Sequence, residues 1–384
     1  IVFGDWSSDV CSSDLDSDRM RINVGPQHPS THGVLRLEVE VDGEIVTEVV
    51  PHLGYLHRSF EKHCEKLNYQ QIIPFIDRMD YISAMNNEWP YVMALEKMLD
   101  IKVPEKVEYI RVIVAELNRI ANHQIAVATF GMDAGAFTPF LYYFRDREAI
   151  ISILERLSGA RLLYNYFRVG GMAADIYPGF KDDCLNLVKQ VRKTNAEIMK
   201  LLIHNSIFIK RSAHVGILTP EVAINYACSG PVLRGSGVAH DLRRDEPYSV
   251  YDRFDFEIPV GKGEVGVVGD CWNRNIVRVH EMEQSCRIIE QALAQMPETG
   301  DVKAMIPKRI KLPKGEVYMR TENPKGDLGF YIVSNGTDKP ERMKARGTSF
   351  VNLSVIPEIS KGYMFADLIL ILGSIDIVLG EVDR

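Results

Sequence analysis

Between Val34 and Val41 apolar and polar residues alternate without a break, with Leu35, Leu37, Val39 and Val41 on one face and Arg36, Glu38 and Glu40 on the other. A period of two marks a strand buried on one side. Asp42-Gly43 then offers the positive φ angles of a type I′ turn, and Glu44 to Val50 resumes an extended pattern, so the unit reads as a β-hairpin. From Glu61 the period becomes helical, most clearly from Glu105 to Phe130, where Val107, Ile110, Val114, Leu117, Ile120, Ala121 and Ile125 form an apolar stripe. Helices are predicted over about 139–158, 180–206 and 275–296, and their amphipathic faces imply a helical bundle. Beyond Gly315 the texture turns to short extended segments, Glu316–Thr321 and Leu328–Val333, punctuated by Asn323-Pro324-Lys325-Gly326 and Asn335-Gly336 turns.

No repeat, low-complexity tract or linker divides these parts, so a single α+β domain, mainly α, is the simplest account. Residues 20–384 are assigned to it: a β-hairpin with a histidine loop over 20–50, a helical core over 61–300, and a β-rich region with a buried C-terminal tail over 310–384. Residues 1–19, rich in Ser and Asp and without the basic and apolar regions of a signal peptide, are read as extraneous or disordered.

Composition excludes more than it proposes. With 46% hydrophobic residues, 25% charged and a net charge of −7, the 384-residue chain is an ordinary globular one and too acidic to suggest nucleic acid. The apolar run Leu368–Ile375 is closed by Asp367 and Asp376, far short of the ~20 residues that cross a bilayer, so any membrane role comes through partners. The six cysteines never fall within four residues of one another, which leaves no C-x-x-C motif and suggests reduced, scattered thiols.

Candidate chemistry concentrates in residues 23–33, Asn-Val-Gly-Pro-Gln-His-Pro-Ser-Thr-His-Gly, a stiff loop presenting His28 and His32. Imidazole titrates near working pH, which suits a proton donor or a metal ligand. His52, His57 and His63 extend the cluster, yet Pro29 keeps His28 and His32 off one helical face and no cysteine or carboxylate lies at a ligand-like interval, so no metal is assigned. Gly261-Lys262-Gly263-Glu264-Val265-Gly266 matches G-x-G-x-x-G but follows no βαβ pattern, and a glycine-rich hairpin is expected instead of a dinucleotide site. Asp77-Arg78-Met79-Asp80-Tyr81 places charges and a phenol among apolar residues, as a structural Asp-Arg network at a helix start would. Asp133 ends the long stripe between glycines and needs a partner, for which His or Arg would serve.

Several of these segments occur, in order, in one family: NVGPQHPSTHGVLRL, VVPHLGYLHRSFEK, RMDY, ELNRIANH, GAFTPF, TPEVA, LRGSGVAHDLRR, PKGEVY and LGEVDR. From Met20 to Arg384 the chain resembles the D-subunit family of the NADH-quinone oxidoreductase, respiratory complex I. The resemblance implies the fold of the large subunit of nickel-iron hydrogenases. It also implies that the hydrogenase metal is absent, because the four thiolate positions hold Asp80, Ser83, Val378 and Glu381. What remains in the family is a cavity for a quinone headgroup.

By the same resemblance His32 and Tyr81 flank the headgroup, each hydrogen-bonded to one carbonyl oxygen, Asp133 pairs with His32, and Thr129 and Met132 line the cavity. His28 has a structural role, and Arg58 corresponds to an arginine methylated in some relatives. The chain itself would bind no cofactor, the iron-sulfur cluster next to the site belonging to a neighbouring subunit. Its expected partners are other complex I subunits, namely the B subunit with its iron-sulfur cluster, the C and I subunits and the membrane-embedded H subunit, together with a quinone, ubiquinone or menaquinone. The expected place is the cytoplasmic face of the bacterial inner membrane and the expected activity is proton-pumping NADH:quinone reduction. The competing readings are a non-catalytic scaffold and an equivalent subunit in a complex fed by another donor.

Overall fold

The computed structural model describes residues 19–384, so the expectation for the first residues lies outside it except at Arg19, which opens a strand. That strand, Arg19–Val24, pairs antiparallel with Arg36–Asp42, which pairs in turn with Ile45–His52. Leu35, Leu37, Val39 and Val41 are all buried, as the alternation predicts. The turn falls one residue later than expected, because Asp42 pairs with Ile45 and the loop residues are Gly43, at φ 60°, and Glu44. A one-residue slip would turn every following side chain to the wrong face. The strand corrects it with a bulge at Thr47: Glu40 faces Glu48 while Val41 faces Val46, and both Val46 and Val49 point into the core.

The helices Glu105–Asp133, Thr138–Ser158, Phe180–Ile198 and Cys271–Gln295 follow the predicted spans, the third running on through a π-helical turn, Met199–Ile203. Glu105–Asp133 is the axis of the molecule, packed against Cys271–Gln295, Thr138–Ser158 and a further helix, Ala84–Leu99. It is no amphipathic surface helix. Lys106, Arg111, Glu116, Arg119 and His123 are buried along it together with the apolar stripe. A helix enclosed on all sides must pair its charges internally.

The region after 310 departs from expectation. The strands Gly315–Asn323, Gly326–Ser334 and Pro340–Arg346 form one antiparallel sheet, but the chain then turns helical at Thr348–Leu353, Ile356–Ser360, Phe365–Ile375 and Leu379–Val382. Phe365–Ile375 lacks the alternation of a strand, and its Leu368, Leu370, Ile371, Leu372 and Ile375 are all buried. The turn at 323–326 forms as expected but is driven into the core, with Asn323 1% and Lys325 2% exposed. Residues 261–266 form no hairpin either. They wrap the Gly230–Gly235 helix, Gly261 N–H donating to the Arg234 carbonyl, and lead to the helix that Asp270 caps. Asp270 already accepts from the N–H groups of Asn273, His214 and Val267, which leaves that N-terminus no room for a phosphate.

Candidate functional site

The histidine loop is closed by a two-residue ladder, Gln27 to Val34 and His28 to Gly33, with a 3₁₀ turn at Pro29–Thr31. Thr31 is buried and its hydroxyl donates to the carbonyls of His28 and Gly33 at 2.7 and 2.8 Å. His32 follows in the left-handed region at φ 55°, a conformation that costs about 1 kcal/mol or more for a residue with a Cβ. The loop therefore fixes where the imidazole points. His28 is exposed and accepts at Nδ1 from Ser30 N–H at 3.3 Å.

Asp133, the last residue of the axial helix, lies 101 positions downstream, and its Oδ2 is 2.7 Å from His32 Nε2. Gly373, in the buried helix Phe365–Ile375, leaves space for this pair: a Cβ there would stand 2.9 Å from Asp133 Oδ2 and 3.6 Å from His32 Nε2. Thr129 is one turn before Asp133 and its hydroxyl is spent on the Ile125 carbonyl at 2.9 Å. Met132 is 39% exposed beside it.

Tyr81 reaches the same C-terminal segment from another side. Leu379 packs on Gly33, and its neighbour Gly380 packs on the Tyr81 ring and on the Met79 carbonyl. Burial pushes the Tyr81 phenol above its ordinary value, the Asp80 carboxylate adds to this, and Lys325 opposes it. Behind it Lys325 Nζ donates to Asp80 at 2.9 Å and to Asn122, with Asp376 at 3.8 Å. Ser83 donates to Asp80, and Glu381 accepts from Ser349 and from Thr348 N–H. Asp80, Ser83 and Glu381 thus sit in one polar cluster under Tyr81, around an ammonium supplied by the buried turn.

Two expectations from the sequence are corrected here. Residues 77–80 follow the helix Tyr69–Ile76 and do not start one. Asp80 pairs with Lys325, and Arg78 donates to the Pro74 carbonyl; neither makes an Asp-Arg network. Asp77 accepts from Asn165 N–H and faces Glu88, whose carboxyl is pushed well above the usual range by burial and by Asp77. The remaining histidines of the cluster are separately engaged: His52 with Glu38 at 3.0 Å, His57 with the Asp383 carbonyl at 2.6 Å, and His63 against Phe75. Arg58 donates to the Arg78 carbonyl. Cys64, Cys184, Cys228, Cys271 and Cys286 are free and buried.

The periodicity concealed a second buried network. Arg234 donates to Glu281 at 2.6 Å and Glu322 at 2.8 Å, Arg243 joins Asp241 at 2.7 Å to Glu116 at 3.1 Å, and Arg119 pairs with Glu116 at 3.2 Å. His123 contacts Glu281 at 2.8 Å. Charged residues inside an apolar stripe, Glu116, Arg119 and His123, were the available signal. Burial opposes ionisation of Glu281, but Arg234 and His123 hold it well below the usual carboxylate range. For Glu322 burial wins over Arg234 and the carboxyl is raised.

The same network predicts a pH dependence. Burial raises Asp241, but Arg243 and Arg234 together outweigh it and hold the carboxyl at about 2, below its ordinary 3.8. A depressed pKa contributes stability present above pH 4 and lost as pH falls through 2, here about 2 kcal/mol. Asp241→Asn is expected to flatten the loss of urea stability between pH 5 and 2. Equal slopes in both proteins would show that Asp241 adds nothing.

The family model described as the 49 Kd subunit of the respiratory-chain NADH dehydrogenase matches residues 133–313 and 302–384. The NADH-quinone oxidoreductase D subunit of Chlorobaculum tepidum is 57% identical over 374 residues, covering 97% of this chain and 94% of that protein. The chain belongs to the D-subunit family of the NADH-quinone oxidoreductases. The D subunit of Pelodictyon phaeoclathratiforme is 55% identical over 98% of this chain, and D subunit 1 of Cytophaga hutchinsonii 55% over 94%. As a member of this family, the protein is part of an oxidoreductase complex of the respiratory chain, and its partners are other subunits of that complex. No described helix is long and apolar enough to cross a membrane.

Proposed function

We propose that this D subunit forms the quinone site of a proton-pumping NADH:quinone oxidoreductase at the cytoplasmic face of the bacterial inner membrane. The observation that carries the reading is the 2.7 Å contact of His32 Nε2 with Asp133 Oδ2, held on a strained loop and set against the same segment that packs on Tyr81. Quinone reduction takes two electrons and two protons. An iron-sulfur cluster in the neighbouring B subunit supplies the electrons, and the C and I subunits and the membrane-embedded H subunit complete the surroundings. His32 gives a proton to one carbonyl oxygen, and Asp133, 2.7 Å from Nε2, holds the ring in place for it. Tyr81, a weak acid made weaker by burial, gives its proton to the other oxygen only after electrons have made it basic. Thr129 and Met132 border the headgroup.

Once His32 is deprotonated, Asp133 is left without its cation, and this imbalance couples the redox step to proton movement. The likeness to nickel-iron hydrogenases belongs to the same reading: Asp80, Ser83, Val378 and Glu381 stand at the thiolate positions, and the Lys325 ammonium provides the local positive charge. Asp133→Asn keeps the shape and removes the charge. A charge-assisted hydrogen bond of about 1.5–3 kcal/mol corresponds to a loss of roughly 10–100-fold in quinone reduction, with NADH oxidation by an artificial acceptor retained. Unchanged quinone reduction and pumping would overturn the proposal.

A further inference from the structure

The short hairpin Phe167–Arg168 and Gly171–Met172 is extended by a third segment from the loop after Gln295. Gly171 bridges to Lys303, Met172 N–H donates to the Val302 carbonyl at 3.0 Å, and Ala304 N–H donates to the Gly170 carbonyl at 2.7 Å. Arg111, buried and paired with Glu96, donates to the Arg168 carbonyl at 3.0 Å. The backbones of Arg168 and Lys303 are therefore both fixed.

Between them lies a cavity of about 350 Å³, walled by Ile73, Val169, Ala173 and Ile306, and no acidic residue lines it. The carboxylates on nearby segments are already engaged, Glu96 by Arg111 at 2.7 Å and Asp175 by Lys106 at 2.9 Å, while Asp77 accepts from Asn165 N–H and also feels the Arg168 charge from within the core. Two cationic residues bordering a half-enclosed space, lined also by Gln70 and by the apolar wall, attract an anion, because the wall lowers the local dielectric and strengthens the pairing. The volume lies at the small end of ligand sites, enough for a side chain. Met305, next to the wall, is fully exposed, as a residue awaiting a protein neighbour would be.

We infer that this cavity is a socket for an acidic side chain of a partner subunit, an aspartate or glutamate flanked by apolar residues, clamped between Arg168 and Lys303. A free anion would satisfy the charges but would leave the apolar wall and Met305 uncovered. The inference rests on membership of a multisubunit complex and is independent of the quinone chemistry.

Carbodiimide treatment of the intact complex, which joins an amine to a carboxylate as an amide, is expected to link Lys303 to an aspartate or glutamate of a neighbouring subunit, read by mass spectrometry. Arg168→Gln with Lys303→Gln is expected to release the subunit from its partners at about half the native salt concentration, whereas Lys303→Arg keeps the native profile. The inference is overturned by an unchanged salt profile in the double variant. It is equally overturned if Lys303 links to no partner carboxylate, the behaviour of a free-anion site.

Discussion

Replacing Tyr81 by phenylalanine is expected to lower quinone reduction by the assembled complex about 10²–10⁴-fold, the usual contribution of a positioned general acid. The ring, packed on Gly380, is kept, so the fold should be preserved. What is lost is one proton at one oxygen. NADH oxidation by an artificial acceptor, which bypasses the quinone, is expected to stay near the native rate. Equal loss of both activities would mean an assembly defect, and loss of neither would mean that the second proton arrives from elsewhere. Because burial makes the phenol a weaker acid, ionisation of Tyr81 should not lower the rate within the ordinary tyrosine range.

The second large effect concerns stability. Arg234→Ala removes a fully buried guanidinium that serves Glu281, Glu322 and the His240 carbonyl. Breaking a buried pair from one side costs about 3–5 kcal/mol, since the carboxylates left behind are buried without the guanidinium that balanced their charge. Against a total stability of roughly 5–15 kcal/mol, much of the subunit should fail to accumulate in the complex. Adding Glu281→Gln removes one of the stranded charges. The double variant should therefore lose less than the sum of the two single variants, by about 0.5–3 kcal/mol in urea unfolding. Strict additivity would show that the two side chains do not interact.

How much of this was readable from residues alone depended on whether an element has one wet face. The strand Arg36–Asp42 does, and its alternation marked all four core positions. The helices at 138–158 and 180–198 do as well. Ala84–Leu99 does not: Asn86, Asn87, Glu88 and Trp89 are buried on successive positions, with Pro90 inside the helix, so no period emerges. The C-terminal helices failed for a related reason, their nearly continuous apolar run carrying no period. Turn chemistry misled at Asn323–Gly326, where turn-forming residues suggest the surface but Lys325 finds Asp80 and Asn122 inside. For the candidate site, the loop and its rigidity were legible in Pro29 and Gly33, whereas the buried Thr31 hydroxyl that ties it was not. The pairing of His32 with Asp133 was not, because residues 101 positions apart meet only through tertiary structure, and it came from family resemblance.

The segment from Gly373 to Asp383 touches both halves of the candidate site and also anchors the chain near its beginning, with Asp383 accepting from Gly54 and Leu56 N–H at 2.8 and 2.7 Å. During synthesis the axial helix and the histidine loop leave the ribosome long before that segment. At roughly 5–20 residues per second the interval from Asp133 to Gly373 is on the order of 10–50 s. For that time His32, Tyr81 and Asp133 have no wall behind them, so a nascent chain stalled before Gly373 would carry all three side chains without the segment that encloses them.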